Sequence, residues 1–324
     1  MIVKILAKPS RAFAGVSYNT TKIDRNKGEL MKFANFGALQ ALHKPKPQDI
    51  VNYLKMVASQ NKRVSNTQLH AAISARGRQY DKHQLTAIAE AWLKEMGYGS
   101  QPYLVVFHKD TENNHVHLVS SRIDRQGRQI NRDFEHVRSL RALDKVLGYT
   151  TALQYRFSTI AQFYLVIESL GYPGKDYPDQ DKLMEKIAGR KPDTGRIAEL
   201  KTLFLLHKSH PDFKEKMRSD HRIDIIVHAA EGRKPYGYSV VDHDTRQVFK
   251  GSEILSIKYL LENSVVPVEN TVPVKTMAAG LIAAEKETDH ADYIGPVWIA
   301  DDVDDESVYG RNRQRKRKAG TNTR

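Results

Sequence analysis

No cysteine occurs among the 324 residues. Disulfides, thiolate metal sites and cysteine nucleophiles are thereby excluded, and any metal site must be assembled from His, Asp and Glu. Long apolar runs are missing too, since no window reaches the roughly 18 consecutive apolar residues that a membrane span requires. The opening MIVKILAKPSRAF holds no long apolar core with a cleavage site, so a cytoplasmic protein without a membrane partner is expected. Acidic residues are the minority, 38 against 51 Lys and Arg, and the formal charge of +13 sets up a field that attracts a polyanion. Nucleic acid is the usual one. Hydrophobic residues make up 40% of the chain, enough for a folded protein, and the length suits about two domains with a core each.

Periodicity divides the chain. MIVKIL reads as a strand, and Ser10 is placed to cap a short helix running toward Tyr18. Ile50, Val51, Leu54 and Val57 recur at helical spacing between Pro47 and Gln60, and QLHAAIS (68–74) reads as the next strand. From Asp81 to Met96 the pattern Leu85, Ile88, Ala89, Trp92, Leu93, Met96 marks an amphipathic helix with Gly97 as its stop. PYLVVFH and HVHLVSSRID follow as strands, and DRQGRQI turns into a further short one. Beyond Arg132 the pattern becomes helical. Phe134, Val137, Leu140 and Leu143 form one expected apolar face, and a long helix is expected from Leu153 to Leu170, broken by GYPGKDYPDQD. A smaller β element appears at RIDIIVHAA and YGYSVVDHDTRQVFKG, with DHDTRQ as its turn and a helix after Ser252. The acidic run DDVDDE and the basic end RNRQRKRKAGTNTR read as a tail without a fixed fold. There is no internal repeat. The expected class is α+β, an antiparallel β-sheet flanked by helices and followed by a helical segment and a small β-containing region.

The stretch VVFHKDTENNHVHLVSS concentrates ionisable side chains inside a hairpin. With a loop of residues 109–114, antiparallel pairing sets His108 opposite His115, whose Cβ atoms then lie about 5 Å apart. His117, two residues on, points to the same face. Three converging imidazoles suit one divalent cation with coordination positions left open for a substrate oxygen. Zinc, manganese and nickel fit an all-histidine set, and magnesium fits once phosphate oxygens complete the shell. Val116 and Leu118 point the other way, into a core. Asp110 in the loop suits a turn residue, and a carboxylate there is also placed to hold a metal-bound imidazole from behind.

This hairpin, FHKDTENNHVHLVSSRID, resembles the third motif of relaxases, the mobilisation nucleases of the HUH endonuclease superfamily, with His115, Val116 and His117 as the His-hydrophobic-His core. AGVSYNTTKID near the start resembles the first motif and carries Tyr18, and LHAAISARGRQYDKHQ through VVFHKDT resembles the MobB-like branch. The likeness covers roughly residues 1–150. It implies that His108, His115 and His117 hold a divalent cation, magnesium or manganese first, which polarises the scissile phosphate of single-stranded DNA. It further implies that Tyr18 attacks that phosphate and forms a 5′-phosphotyrosyl link. Lys22, one helical turn after Tyr18, is then the expected phosphate contact. His70 is either a residue lining the site or a satisfied core histidine.

The resemblance implies an enzyme of the bacterial cytoplasm that nicks one strand at an origin of transfer. Its partners would be single-stranded DNA with an adjacent duplex or hairpin, an accessory mobilisation protein and a coupling protein. The expected division is a HUH nuclease domain at 1–150, a helical region at 151–220, a small α/β element at 221–265 and an acidic, then basic tail at 266–324. Three alternatives compete. A rolling-circle replication initiator would use a tyrosine after the histidines, such as Tyr149 or Tyr155. A non-enzymatic DNA-binding accessory protein would use the histidines for a structural metal. A metal-dependent hydrolase would use water as nucleophile.

Overall fold

The computed structural model describes residues 1–6, 12–42, 45–191, 193–230 and 232–261. Ser10 and the expected tail at 266–324 lie outside these. The chain divides into two compact units between Val146 and Leu147.

The first unit is built on a five-stranded antiparallel sheet of order β1-β3-β5-β4-β2, with β1 at Ile2–Ile5, β2 at Gly28–Ala34, β3 at Gln68–Ser74, β4 at Tyr103–His108 and β5 at His115–Ser121. Every residue of β3, β4 and β5 is buried, as a central sheet covered on both faces requires. Helices α1 (Ala14–Asp24) and α2 (Pro47–Ser59) supply one cover, where Phe13, Val16, Ile50, Val51 and Leu54 pack with Leu104, Val106 and Val119. Helix α3 (Lys82–Glu95) buries Leu85, Ile88, Ala89, Trp92 and Leu93. Its Asp81 cap accepts from the backbone N–H groups of His83 and Gln84, and the Gln84 side chain answers from three residues on. Burial of each large apolar side chain in these layers contributes about 1.5–3 kcal/mol.

Four features depart from the sequence reading. Strand β2 carries no clean alternation, because a bulge between Leu30 and Lys32 shifts its register against β4. It is an edge strand, with half-buried Lys82 paired to its Glu29. Helix α1 begins at Ala14 rather than near Ser10, entered through Phe13 in the left-handed region with no side-chain cap, and it runs past Tyr18 to Asp24.

Helix α4 (Glu135–Val146) does not bury the expected face: Leu143 is inside, but Phe134 is 82% exposed, Val137 45% and Leu140 50%. Glu135 and Ser139 turn inward instead. Glu135 takes the buried Arg122 guanidinium in a two-pronged ion pair (2.8 and 3.2 Å), and the Ser139 carbonyl accepts the Trp92 indole N–H. A buried guanidinium without its carboxylate costs about 3–5 kcal/mol, comparable with the burial forgone at these partly exposed apolar side chains.

The second unit contains α5 (Tyr149–Ala152), α6 (Ile160–Ser169), α7 (Gln180–Ala188), α8 (Thr194–His207) and α9 (Phe213–His221), then a three-stranded antiparallel sheet. That sheet runs β6 (Ile223–His228), β7 (Gly237–Asp242), β8 (Gln247–Lys250), and α10 (Gly251–Ile254) and α11 (Ile257–Leu261) follow. Leu200 and Phe204 of α8 and Phe213 and Met217 of α9 share one core with Ile223, Val240 and Phe249 of the sheet. The expected helix over 153–170 is interrupted. Arg156 leaves helical geometry to bridge Gln247, its N–H donating to the Arg246 carbonyl and its carbonyl accepting from Val248. Helix α6 restarts behind a Thr159 cap.

Candidate metal centre and active site

The β4–β5 register pairs His108 with His115 and Val106 with His117. Side chains alternate along a strand, so these histidines share the face of Leu104, Val106 and Val119, beneath α1 and α2. Strand β3 pairs His70 with Val119 and Ala72 with His117, which brings His70 to the same face. His108, His115 and His117 are all buried, and one ligand atom from each lies within 4.8 Å of the other two. The His108 and His117 rings stack at 4.2 Å, and His115 meets His108 edge-on at 5.0 Å.

Each ring is held from behind. His108 Nε2 lies 2.9 Å from Asn19 Oδ1, His117 Nδ1 lies 3.0 Å from His70 Nε2, and His115 Nδ1 lies 3.0 Å from both the Asn113 carbonyl and Thr111 Oγ1. Asn19, Thr111 and Asn113 are contributions that the sequence reading missed. Asn19 offers one local signal: it lies one helical turn after Gly15, whose carbonyl accepts its amide at 2.7 Å.

Burial, and then the neighbouring His115, push His108 down to about 3. His117 is held well below the ordinary histidine value by burial first and by His108 and His70 after it. At neutral pH both rings are therefore uncharged, the form that binds a cation. Three buried nitrogen donors on one side, with no carboxylate among them, fit a divalent metal that keeps open positions. The same shifts carry a stability prediction. Below the unfolded value near 6.5 the unfolded chain takes up protons that the folded rings refuse, so metal-free protein loses stability as pH falls from about 6.5 toward 3. Each ring costs up to about 1.4 kcal/mol per pH unit across that window. Thermal melts in chelator at pH 7.5 and 5.0 should show a lower midpoint at pH 5.0, with the difference reduced in His108→Asn. Equal midpoints in the wild type would contradict buried neutral rings.

Tyr18 sits half-buried on α1 over this cluster, its ring centroid 5.7 Å from those of His108 and His117 and 6.1 Å from that of His70. Gly15, one turn earlier, permits the close approach: a Cβ there would meet His70 Nδ1 at 3.0 Å, and its N–H donates to Gln68 Oε1 at 2.9 Å. Lys22 lies on the Tyr18 side of the helix, with Nζ 5.6 Å from the ring centroid and 2.6 Å from Asp110 Oδ2. Burial raises the Asp110 carboxyl, but the Lys22 ammonium outweighs it and holds the group below the usual range. Asp110 thus faces Lys22, and the bonds behind the imidazoles come from Asn19, His70, Asn113 and Thr111. A groove of about 310 Å³ runs along α1, lined by Ser17, Tyr18, Thr21, Lys22, Arg25 and Lys27.

Other tyrosines are committed elsewhere. Tyr80 and Tyr98 are fully buried, and Tyr103 donates to Glu90 at 2.7 Å. Within the second unit Tyr149 bonds Asp176, and Tyr155 bonds His243 at 2.8 Å, both rings buried.

Charge is distributed unevenly. Residues 1–146 hold 24 of the basic and 12 of the acidic residues, so this unit carries +12 of the +13. The sheet presents three imidazoles placed to take a cation within the unit that carries nearly all the positive charge, a field that attracts a polyanion. Among protein families, residues 18–147 match the model described as relaxase, MobA/VirD2-like, nuclease domain, and this match supports a relaxase or mobilisation nuclease in that part of the chain. No curated protein matches the chain. None of the helices among the described residues is long and apolar enough to cross a membrane.

Proposed function

We propose that the protein nicks one strand of DNA at an origin of transfer by transesterification, with Tyr18 as nucleophile, for mobilisation or conjugative transfer of a plasmid or integrative element. The observation that carries this reading is the Tyr18 ring at 5.7 Å from His108 and His117. His108, His115 and His117 would hold a divalent cation, which would supply positive charge where charge develops on the scissile phosphate. Tyr18 Oη attacks phosphorus in line, the Oη–P bond forms as the P–O3′ bond breaks, and the phenolic proton ends on the departing 3′ oxygen. One ester replaces another, so the strand can be rejoined by its own 3′-hydroxyl. The Lys22 ammonium beside the tyrosine contacts a phosphate oxygen, with Asp110 keeping it in position between turnovers. His70 acts behind His117 and lines the site.

Single-stranded DNA enters along the α1 groove, an adjacent duplex or hairpin adds recognition, and an accessory mobilisation protein and a coupling protein are the protein partners in the bacterial cytoplasm. The nuclease domain takes up residues 1–150. Buried, hydrogen-bonded hydroxyls at Tyr149 and Tyr155 count against a rolling-circle order of tyrosine after histidines. The test is incubation with manganese and an oligonucleotide containing the transfer origin, followed by a denaturing gel. A strand that stays attached to protein through its 5′ end supports the reading, and a released 5′-phosphate means that water was the nucleophile.

The logarithm of the binding constant for single strands should fall linearly with the logarithm of salt concentration, because Lys and Arg displace counterions from phosphates. Arg25 and Lys27 are exposed in the groove. Replacing both with Ala should make the slope shallower by about 1.4, at 0.7 per lost contact on a single strand. An unchanged slope would take the DNA off the α1 groove.

A further inference from the structure

We propose that Asn19 is a positioning residue that selects which ring nitrogen of His108, and through His70 which nitrogen of His117, faces the cation. The inference rests on the cation reading above and goes beyond it by explaining how two dissimilar imidazoles come to present lone pairs to one point.

The Gly15 carbonyl can only accept, so the Asn19 atom 2.7 Å from it is the amide nitrogen. That fixes the other end of the amide, Oδ1, against His108 Nε2 at 2.9 Å. An amide oxygen can only accept. His108 Nε2 therefore carries the proton, and in the neutral ring Nδ1 carries the lone pair. The Asn19 amide nitrogen also faces His70 Nε2 at 3.5 Å, a long contact that favours this nitrogen as an acceptor. His117 Nδ1, 3.0 Å from the same His70 Nε2, then donates and leaves Nε2 as its ligand atom. His115 follows by its own bond, since the Asn113 carbonyl 3.0 Å away requires a proton on Nδ1. The set that results is Nδ1 of His108 with Nε2 of His115 and His117.

Placement on α1 makes Asn19 suited to the task. It is fully buried and next in sequence to Tyr18, so the side chain that orients the metal ligands belongs to the helix that carries the nucleophile. Outer-shell partners of metal-bound histidines typically control affinity by about 10–100-fold.

The test uses the full chain labelled with ¹⁵N-histidine, read by long-range imidazole spectra without metal and by calorimetric titration with Mn²⁺. Wild type should show His108 protonated on Nε2 and His117 on Nδ1. Asn19→Leu, of similar size without polar atoms, should lose that preference at His108 and bind Mn²⁺ about tenfold more weakly. Asn19→Asp keeps the acceptor for His108 but loses the donor to Gly15 and His70, so it should keep His108 protonated on Nε2 while the preference at His117 weakens, a split that a merely structural role would not predict. A wild-type His108 protonated on Nδ1, or a folded Asn19→Leu with unchanged Mn²⁺ affinity, would overturn the proposal. If Asn19→Leu does not fold, the wild-type spectra and Asn19→Asp decide. A wild type that binds no Mn²⁺ would overturn the cation reading instead, and the tautomer spectra would still decide the role of Asn19.

Discussion

Tyr18→Phe should bind divalent metal and single-stranded DNA as the wild type does, yet leave the strand uncut and free of protein. The substitution keeps the ring that lies over His70, His108 and His117 and removes only the hydroxyl. Tyr18 is half-exposed, so little packing is lost. Transesterification has no substitute for the missing oxygen, and strand cleavage should fall by on the order of 10⁴-fold or more. Parallel Phe variants at Tyr80 and Tyr103 should keep their activity. Those rings are buried away from the groove, and their loss would register as stability. Cleavage at the wild-type rate by Tyr18→Phe, measured on a denaturing gel, would remove tyrosine chemistry from the account.

His117→Ala should abolish metal-dependent cleavage while leaving a folded protein. His117 is central to the cluster: it stacks on His108, pairs with His70 and lies within ligand distance of His115. Losing one of three ligands should cost more than losing an outer-shell partner, so Mn²⁺ affinity should drop by more than about 100-fold. The fold should survive at a cost of about 2–4 kcal/mol, from a cavity and an His70 nitrogen left without its partner. His117→Gln should give the same loss of metal with a smaller loss of stability. Calorimetric titration of Mn²⁺ checks this, and an affinity equal to that of wild type in a folded His117→Ala would sink the three-histidine assignment.

The centre of this site was legible because it depends on local geometry. A six-residue loop and a period of two are enough to put His108, His115 and His117 on one face, and the observed register agrees residue by residue. Helices α2 and α3 were legible for the same reason, since their apolar positions follow a single period without interruption, and β3 was legible as a short apolar run. Apart from the start of α1, which the left-handed Phe13 sets locally, the misreadings involve partners distant in sequence. Strand β2 hides behind a bulge that only its pairing with β4 explains. The inward face of α4 is set by Arg122 and Trp92, which claim Glu135 and Ser139 from other elements. The break near Arg156 exists because β8 offers it backbone partners some ninety residues away. His70 could be placed beside His117 only once β3 was known to pair with β5. Asn19 gives no periodic signal, because its importance lies in which atoms face its two amide ends.

The most direct measurement is mass spectrometry of the protein digested after trapping on an oligonucleotide that carries the transfer origin. The account predicts a nucleotide 5′-phosphate esterified to the peptide containing Tyr18, and to no other peptide. Modification of any other tyrosine, or cleaved DNA with an unmodified Tyr18 peptide, would contradict it.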